Sequence, residues 1–225
     1  MTRSLLFLVP AAALFLPQAA ELPAELLGRV QLALGTGERV PAEGAVVWVP
    51  GVSGASGGSG TPSITQRDKR FVPHVVAVQR GEAVSFPNVD PIFHNVFSVS
   101  TGNEFDLGLF RKGASRSVRF RSAGLVRVYC NIHPEMAAYV RVLDETAFAV
   151  TSADGSFRIS GVPRGARVVR LWHEKGGEKE IEVELVGGRA RTMNAVLDAS
   201  GYRDEPHKNK YGLDYPVVKK NVNRY

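Results

Sequence analysis

From residue 28 onward, apolar and polar residues alternate with a period of two in short runs, the pattern of half-buried β-strands. Gly28-Arg29-Val30-Gln31-Leu32 alternates cleanly, and a turn follows at Gly35-Thr36-Gly37. Ala45-Val46-Val47-Trp48-Val49 then predicts a short buried strand. Residues 51–62, GVSGASGGSGTP, have nothing to bury and predict a flexible loop or linker. Strand-like runs recur at 75–78, 83–86, 94–98, 117–121, 125–130 and 138–143, with turn signals at Gly81, Pro87-Asn88, Gly113 and Ala123-Gly124. A second set covers 157–159, 168–172, 181–185 and 192–197, divided at Asp154-Gly155, Gly176-Gly177 and Gly187-Gly188. Strands this short and this regularly spaced predict an all-β sandwich architecture. Residues 200–225 have no clear periodicity, which predicts irregular structure draped on the surface, or disorder.

The first twenty residues follow a different rule. A lone charge at Arg3 precedes an apolar run from Leu5 to Leu16, broken by Pro10 and too short to span a bilayer comfortably. Ala19-Ala20 stand just before acidic Glu21. This is the layout of a secretory signal peptide over 1–20, although Gln18 sits where a small residue is preferred. The expectation is export to the periplasm or an equivalent compartment, with no stable membrane insertion after cleavage.

Composition narrows the chemistry. Of 225 residues, one is cysteine, Cys130, so a disulfide within the chain, a multi-cysteine zinc site and a C-x-x-C redox pair are excluded. Lys plus Arg outnumber Asp plus Glu by 28 to 22. The surplus lies over 66–143, eleven against six, and over 199–225, six against three, while 144–198 is nearly balanced. That suits an acidic protein partner and is mild for a nucleic-acid binder. No phosphate-binding glycine loop is present, since Gly51–Gly60 lacks the following Lys-Ser/Thr. No Ser/His/Asp arrangement stands out either, and the expectation is a protein that is not an enzyme.

The informative segment is Tyr129-Cys130-Asn131-Ile132-His133-Pro134-Glu135-Met136. The period of two puts Val126, Val128 and Cys130 on one strand face and Arg127 and Tyr129 on the other, so the sulfur points inward at a strand end. His133 and Met136 follow on a loop that must turn at Pro134. A further donor is needed, and His94, opening another strand, is the candidate. Two imidazoles, one thiolate and one weak thioether are the donor set of a type 1 (blue) copper centre. Soft sulfur favours Cu(I), imidazole accepts both oxidation states, and zinc rarely selects methionine. His74, His173 and His207 have no such setting and are expected to be surface or hydrogen-bonded residues.

The segment resembles the cupredoxins, especially the plastocyanin- and amicyanin-like electron carriers. Cys130-x2-His133-x2-Met136 is similar to the short amicyanin ligand loop, and Phe71-x-Pro73, Val78, Gly81, Val84, Phe86, Asn88 and His94-Asn95-Val96 follow the plastocyanin order. Ile132 departs from the pattern, where Pro or Gly is commoner. The resemblance covers about 66–143. It implies one type 1 copper ion held by His94, Cys130, His133 and Met136, with Asn95 tying the two ligand loops together. It also implies an electron port at His133 within an apolar patch drawn from Phe93, Pro134, Met136 and Ala137. The implied partner is a redox protein, a cytochrome or an oxidoreductase. Copper binding or storage without electron traffic, and a structural or adhesive β-sandwich, are the alternatives.

A second resemblance flanks the first. Thr151-x2-Asp154-Gly155-x-Phe157-x-Ile159-x-Gly161-Val162-Pro163-x-Gly165 looks like the back half of a carboxypeptidase-regulatory-like (transthyretin-like) β-sandwich, and 28–50 look like its front half. The whole chain is similar to exported plastocyanin-like proteins labelled as methylamine-utilisation proteins. The expected organisation is a signal peptide over 1–20, front strands over 28–50, a Gly/Ser-rich loop over 51–65, a copper domain over 66–143, the regulatory-like sandwich over 144–198 and a basic tail over 199–225. The copper domain is either inserted into the second sandwich or in series with it. If it is inserted, 28–50 must pair with 145–198.

Overall fold

The computed structural model describes residues 22–52, 61–204 and 206–215. The expected signal peptide, most of the Gly/Ser-rich loop and the last ten residues of the tail lie outside them. Among the described residues there is no helix, and so none long and apolar enough to cross a membrane. The chain opens with β1 (Ala24–Ala33), β2 (Arg39–Pro41) and β3 (Val46–Trp48). Nine strands follow: β4 (Thr65–Arg67), β5 (Arg70–Val72), β6 (Val75–Gln79), β7 (Ala83–Pro87), β8 (His94–Ser98), β9 (Phe105–Phe110), β10 (Ser115–Arg119), β11 (Gly124–Tyr129) and β12 (Ala137–Leu143). The last five are β13 (Phe148–Val150), β14 (Ser156–Val162), β15 (Gly165–His173), β16 (Gly177–Leu185) and β17 (Ala190–Asp198).

The first three strands pair with the last five. β1 lies antiparallel to β14 and parallel to β17, and β2 adds to β1. β3 lies between β13 and β15, with β16 outside β15. The two sheets face each other across a core that includes Leu26, Val30, Val47, Ile159, Leu171 and Leu197. Val46–Trp48 thus hydrogen-bonds to the chain's last third, and not to the strands between. Gly28 is needed where β1 passes β17, because a Cβ there would lie 1.7 Å from the Met193 carbonyl oxygen.

Strands β4 to β12 pair among themselves. Five form one sheet in the order β6-β12-β11-β8-β9, and β7 pairs with β10. Their shared core holds Val78, Phe86, Val96, Phe120, Val128, Cys130 and Met136. Burying each such valine or phenylalanine contributes about 1.5–3 kcal/mol. β3 is the wall between the two cores. Its period of two sends Val47 into the first core, while Val46 and Trp48 pack against Val75, Leu143 and Trp172. An apolar run buried on both faces therefore needs no polar alternation, which is how Ala45–Val49 reads. Arg141 lays its guanidinium over the Trp48 ring, 4.5 Å from its centroid, and pairs with Glu178 at 2.7 Å.

Candidate metal centre

β8 begins at His94 and β11 ends one residue before Cys130, and the two strands are neighbours through the Phe97–Tyr129 pair. The pairing sets both residues at the same end of the five-stranded sheet. The loop between β11 and β12 closes on itself, with the Met136 amide donating to the His133 carbonyl at 3.1 Å and the Cys130 amide to the Met136 carbonyl at 3.2 Å. That turn carries the His133 ring over the strand ends. His94, Cys130 and His133 converge so that one donor atom from each lies within 4.8 Å of the others. The two Nδ1 atoms are 3.0 Å apart, and the Cys130 Sγ is 3.8 Å from the His133 Nδ1. His94 and Cys130 are wholly buried and His133 is partly exposed. Met136 is also fully buried and lies in the same core as Cys130.

The surroundings of these donor atoms set their electrostatics. The His94 Nε2 lies 2.7 Å from the Asp90 carboxylate, itself 5% exposed. Burial opposes the charge on Asp90, but the Lys69 amide, the His94 ring and the Asp68 amide outweigh it and hold the carboxyl below its usual range. An ionised Asp90 accepts a proton-bearing Nε2, the arrangement that leaves Nδ1, on the His133 side, as the ring's donor atom. Burial, and then the neighbouring His94, lower the pKa of His133 and favour its neutral form. Burial pushes the Cys130 thiol up, while amides of Asn95, Ile132 and His133 donate toward the sulfur and oppose the rise. The same amides favour the thiolate once a cation displaces the proton.

Asp90 escapes the sequence reading, and its support lies 21 and 22 residues away. β4 and β5 are joined by a two-residue turn in which Asp68 and Lys69 both have left-handed φ, 52° and 55°. Neither is glycine, and each such residue costs roughly 1–2 kcal/mol. Their amides meet the two Asp90 carboxylate oxygens at 2.6 and 2.9 Å. Hydrogen bonds to a charged group contribute about 1.5–3 kcal/mol each and offset the strain. Asn88 shapes the same loop. It accepts from the Asp90 amide at 2.9 Å and donates to the carbonyls of Ile92 and Phe110.

Asn95 stands where the loop before β8 and the loop after β11 meet. Its Oδ1 accepts from the Asn131 amide at 3.3 Å, and its Nδ2 donates to Asp106 at 2.7 Å. Phe93 is 55% exposed and Pro134 is exposed, beside Ile92 and Ile132, which are also exposed. Ala137 is only half-exposed, and its carbonyl accepts from the His74 ring at 3.0 Å. His74 also meets Glu174 at 2.6 Å, and buried His173 meets the Glu43 carbonyl at 3.1 Å. Both are satisfied away from the centre. His207 is not remote: its ring stacks on Tyr129, 4.0 Å between centroids and 16° from parallel.

No family model matches the chain, and no curated protein matches it. Solved structures do. A purple cupredoxin from Nitrosopumilus maritimus aligns with 36% of this chain and 99% of its own length, at 20% identity and a TM-score of 0.34. A Cu(I) form of an amicyanin mutant aligns with 43% of this chain and 98% of its own length, at 20% identity and a TM-score of 0.36. A reduced form of another amicyanin mutant aligns over the same shares at 23% identity and a TM-score of 0.35.

Proposed function

We propose that the chain is an exported type 1 copper protein that carries single electrons between redox partners. The observation that carries this reading is the convergence of the His94 and His133 Nδ1 atoms and the Cys130 sulfur, with the Asp90 carboxylate 2.7 Å from the His94 Nε2. His94, Cys130 and His133 would hold one copper ion, with Met136 as the weak fourth donor. A copper ion held there supplies a one-electron couple between Cu(I) and Cu(II). The protein keeps the cysteine and His94 away from water and leaves His133 at the surface as the port. Exposed Phe93 and Pro134, with Ile92 and Ile132 on the same two loops, would supply an apolar landing area; Met136 is fully buried and leaves the patch that the sequence offered, Ala137 is half-buried, and the basic surplus favours an acidic partner.

The test is addition of Cu(II) to the purified apo-protein. One equivalent should bind with an intense visible thiolate band, a type 1 paramagnetic resonance spectrum and a reversible potential. Tight binding without a reversible potential would mark copper storage, and a spectrally silent protein would remove the metal reading altogether.

Met136→Leu tests the fourth donor. The two side chains are close in volume, so the core should lose less than about 1.5 kcal/mol. A thioether stabilises Cu(II) more than Cu(I), and its loss should raise the potential while the colour persists. Voltammetry reads this directly. An unchanged potential would assign Met136 to packing alone.

A further inference from the structure

Residues 206–215 form no strand, yet they lie against the loop that carries Cys130 and His133. A chain end is ordered only where something ties it down. Here the ties converge on Cys130 and Asn131. The Tyr215 hydroxyl donates to the Cys130 carbonyl at 2.6 Å. The Asn131 amide, the other end of that peptide unit, donates to the Asn95 side chain. The peptide that follows the cysteine is therefore gripped at both its oxygen and its nitrogen. Lys210 closes a ring of contacts around the same place. Its amide donates to the Asn131 Oδ1 at 3.0 Å, and its Nζ meets the Asp106 Oδ2 at 2.6 Å. The other Asp106 oxygen holds Asn95. Beneath the strap, His207 is stacked on Tyr129 and edge-on to Tyr215, with centroids 5.2 Å apart. Its Nδ1 meets the Lys208 carbonyl at 3.1 Å and the Tyr215 hydroxyl at 3.4 Å, while its Nε2 is buried with no hydrogen-bond partner, so packing over Tyr129 and ties within the strap hold the ring.

We propose that residues 207–215 are a strap that completes the metal centre, with Tyr215 and Lys210 acting as positioning residues for the Cys130–Asn131 peptide. The assignment of metal effects to this strap rests on the copper reading; its hold on the cysteine does not. The strap fixes the direction of the sulfur from the backbone side, opposite the amides that approach it from Asn95, Ile132 and His133. It also covers Tyr129, the residue next to the cysteine, and so leaves His133 as the exposed approach to the centre.

Tyr215→Phe and Lys210→Met, each in the full chain, test the strap in two ways. In the apo-protein, Cys130 should react with an aromatic disulfide reagent at least several-fold faster than in the native chain, because the loop above the buried thiol opens more often. In the copper-loaded protein, the thiolate band and the copper hyperfine splitting should shift, and loss of copper to a chelator should quicken by about 10-fold or more. Lys210→Arg keeps a cation on Asp106 and should restore native values, and Leu213→Ala, on an exposed strap residue, should leave them native. Faster thiol labelling in a protein that takes up no copper would uphold the strap and sink the copper reading. Native labelling rates with native spectra in both Tyr215→Phe and Lys210→Met would overturn the strap.

Discussion

Cys130→Ser is expected to abolish the visible thiolate-to-copper band and to weaken copper binding by orders of magnitude. A serine hydroxyl stays protonated at neutral pH and is a hard, weak donor, so the soft ligand that favours Cu(I) is gone. The two imidazoles remain, and any residual Cu(II) should give the paramagnetic resonance spectrum of an ordinary nitrogen–oxygen site. The fold should survive. Burying an unpaired hydroxyl costs about 1–3 kcal/mol, but the amides of Asn95, Ile132 and His133 face that position and can donate to the oxygen. Titration with Cu(II), followed by visible and resonance spectra beside an apo-protein melt, separates loss of the ligand from loss of the fold. A surviving blue colour would show that Cys130 is not a ligand.

Asp90→Asn should raise the potential by about 65–130 mV and lower stability by about 1–3 kcal/mol. Asparagine can still accept from the His94 Nε2, so the tautomer persists while the negative charge behind the ring is lost. That charge strengthens the imidazole as a donor and favours the more positive oxidation state. A charged hydrogen bond contributes about 1.5–3 kcal/mol, and for a one-electron couple 59 mV is a factor of ten, which sets the expected range. The stability loss comes from the left-handed turn, whose Asp68 and Lys69 amides no longer meet an anion. The linkage has a definite sign. Because the Asp90 carboxyl is held below its usual range, its contribution is complete above the unfolded value near 3.9 and is lost as pH falls through the folded one. Voltammetry and denaturant melts at neutral pH read both effects. A potential equal to that of the native protein would leave Asp90 without a role at the centre.

The candidate loop was legible because Cys130, His133 and Met136 are close neighbours in sequence and the strand period alone turns Cys130 inward. His94 could be paired with them only by the order of motifs, since β8 and β11 meet through a single residue pair. Asp90 was illegible for a physical reason. Its partners are backbone amides of a turn that has no glycine to announce its left-handed φ, and backbone donors leave no mark on composition. β9 was missed because Phe105–Phe110 has partly exposed positions on both faces and so no clean alternation. The short β2, β4, β5 and β13 have three residues each, too few for a period to emerge. β1 starts at Ala24, four residues before the alternation that predicted it. Residues 206–215 gave no signal because they follow the surface of the loop they cover, with no repeat of their own.

The parallel pairing of β1 with β17 also fixes a timetable. Arg29 and Asn194, which meet through a hydrogen bond, are 165 residues apart. During synthesis β1 emerges early and its partners β14 and β17 emerge last, so its apolar face and unpaired edge stay open while everything between is made. Closing so long a loop is slow. Strands β4 to β12 have no such wait, because each finds its partners within the same stretch of chain. The end of the molecule that carries His94, Cys130 and His133 can therefore assemble while the flanking sandwich is still half-built, and the exposed interval for aggregation belongs to β1 and β3.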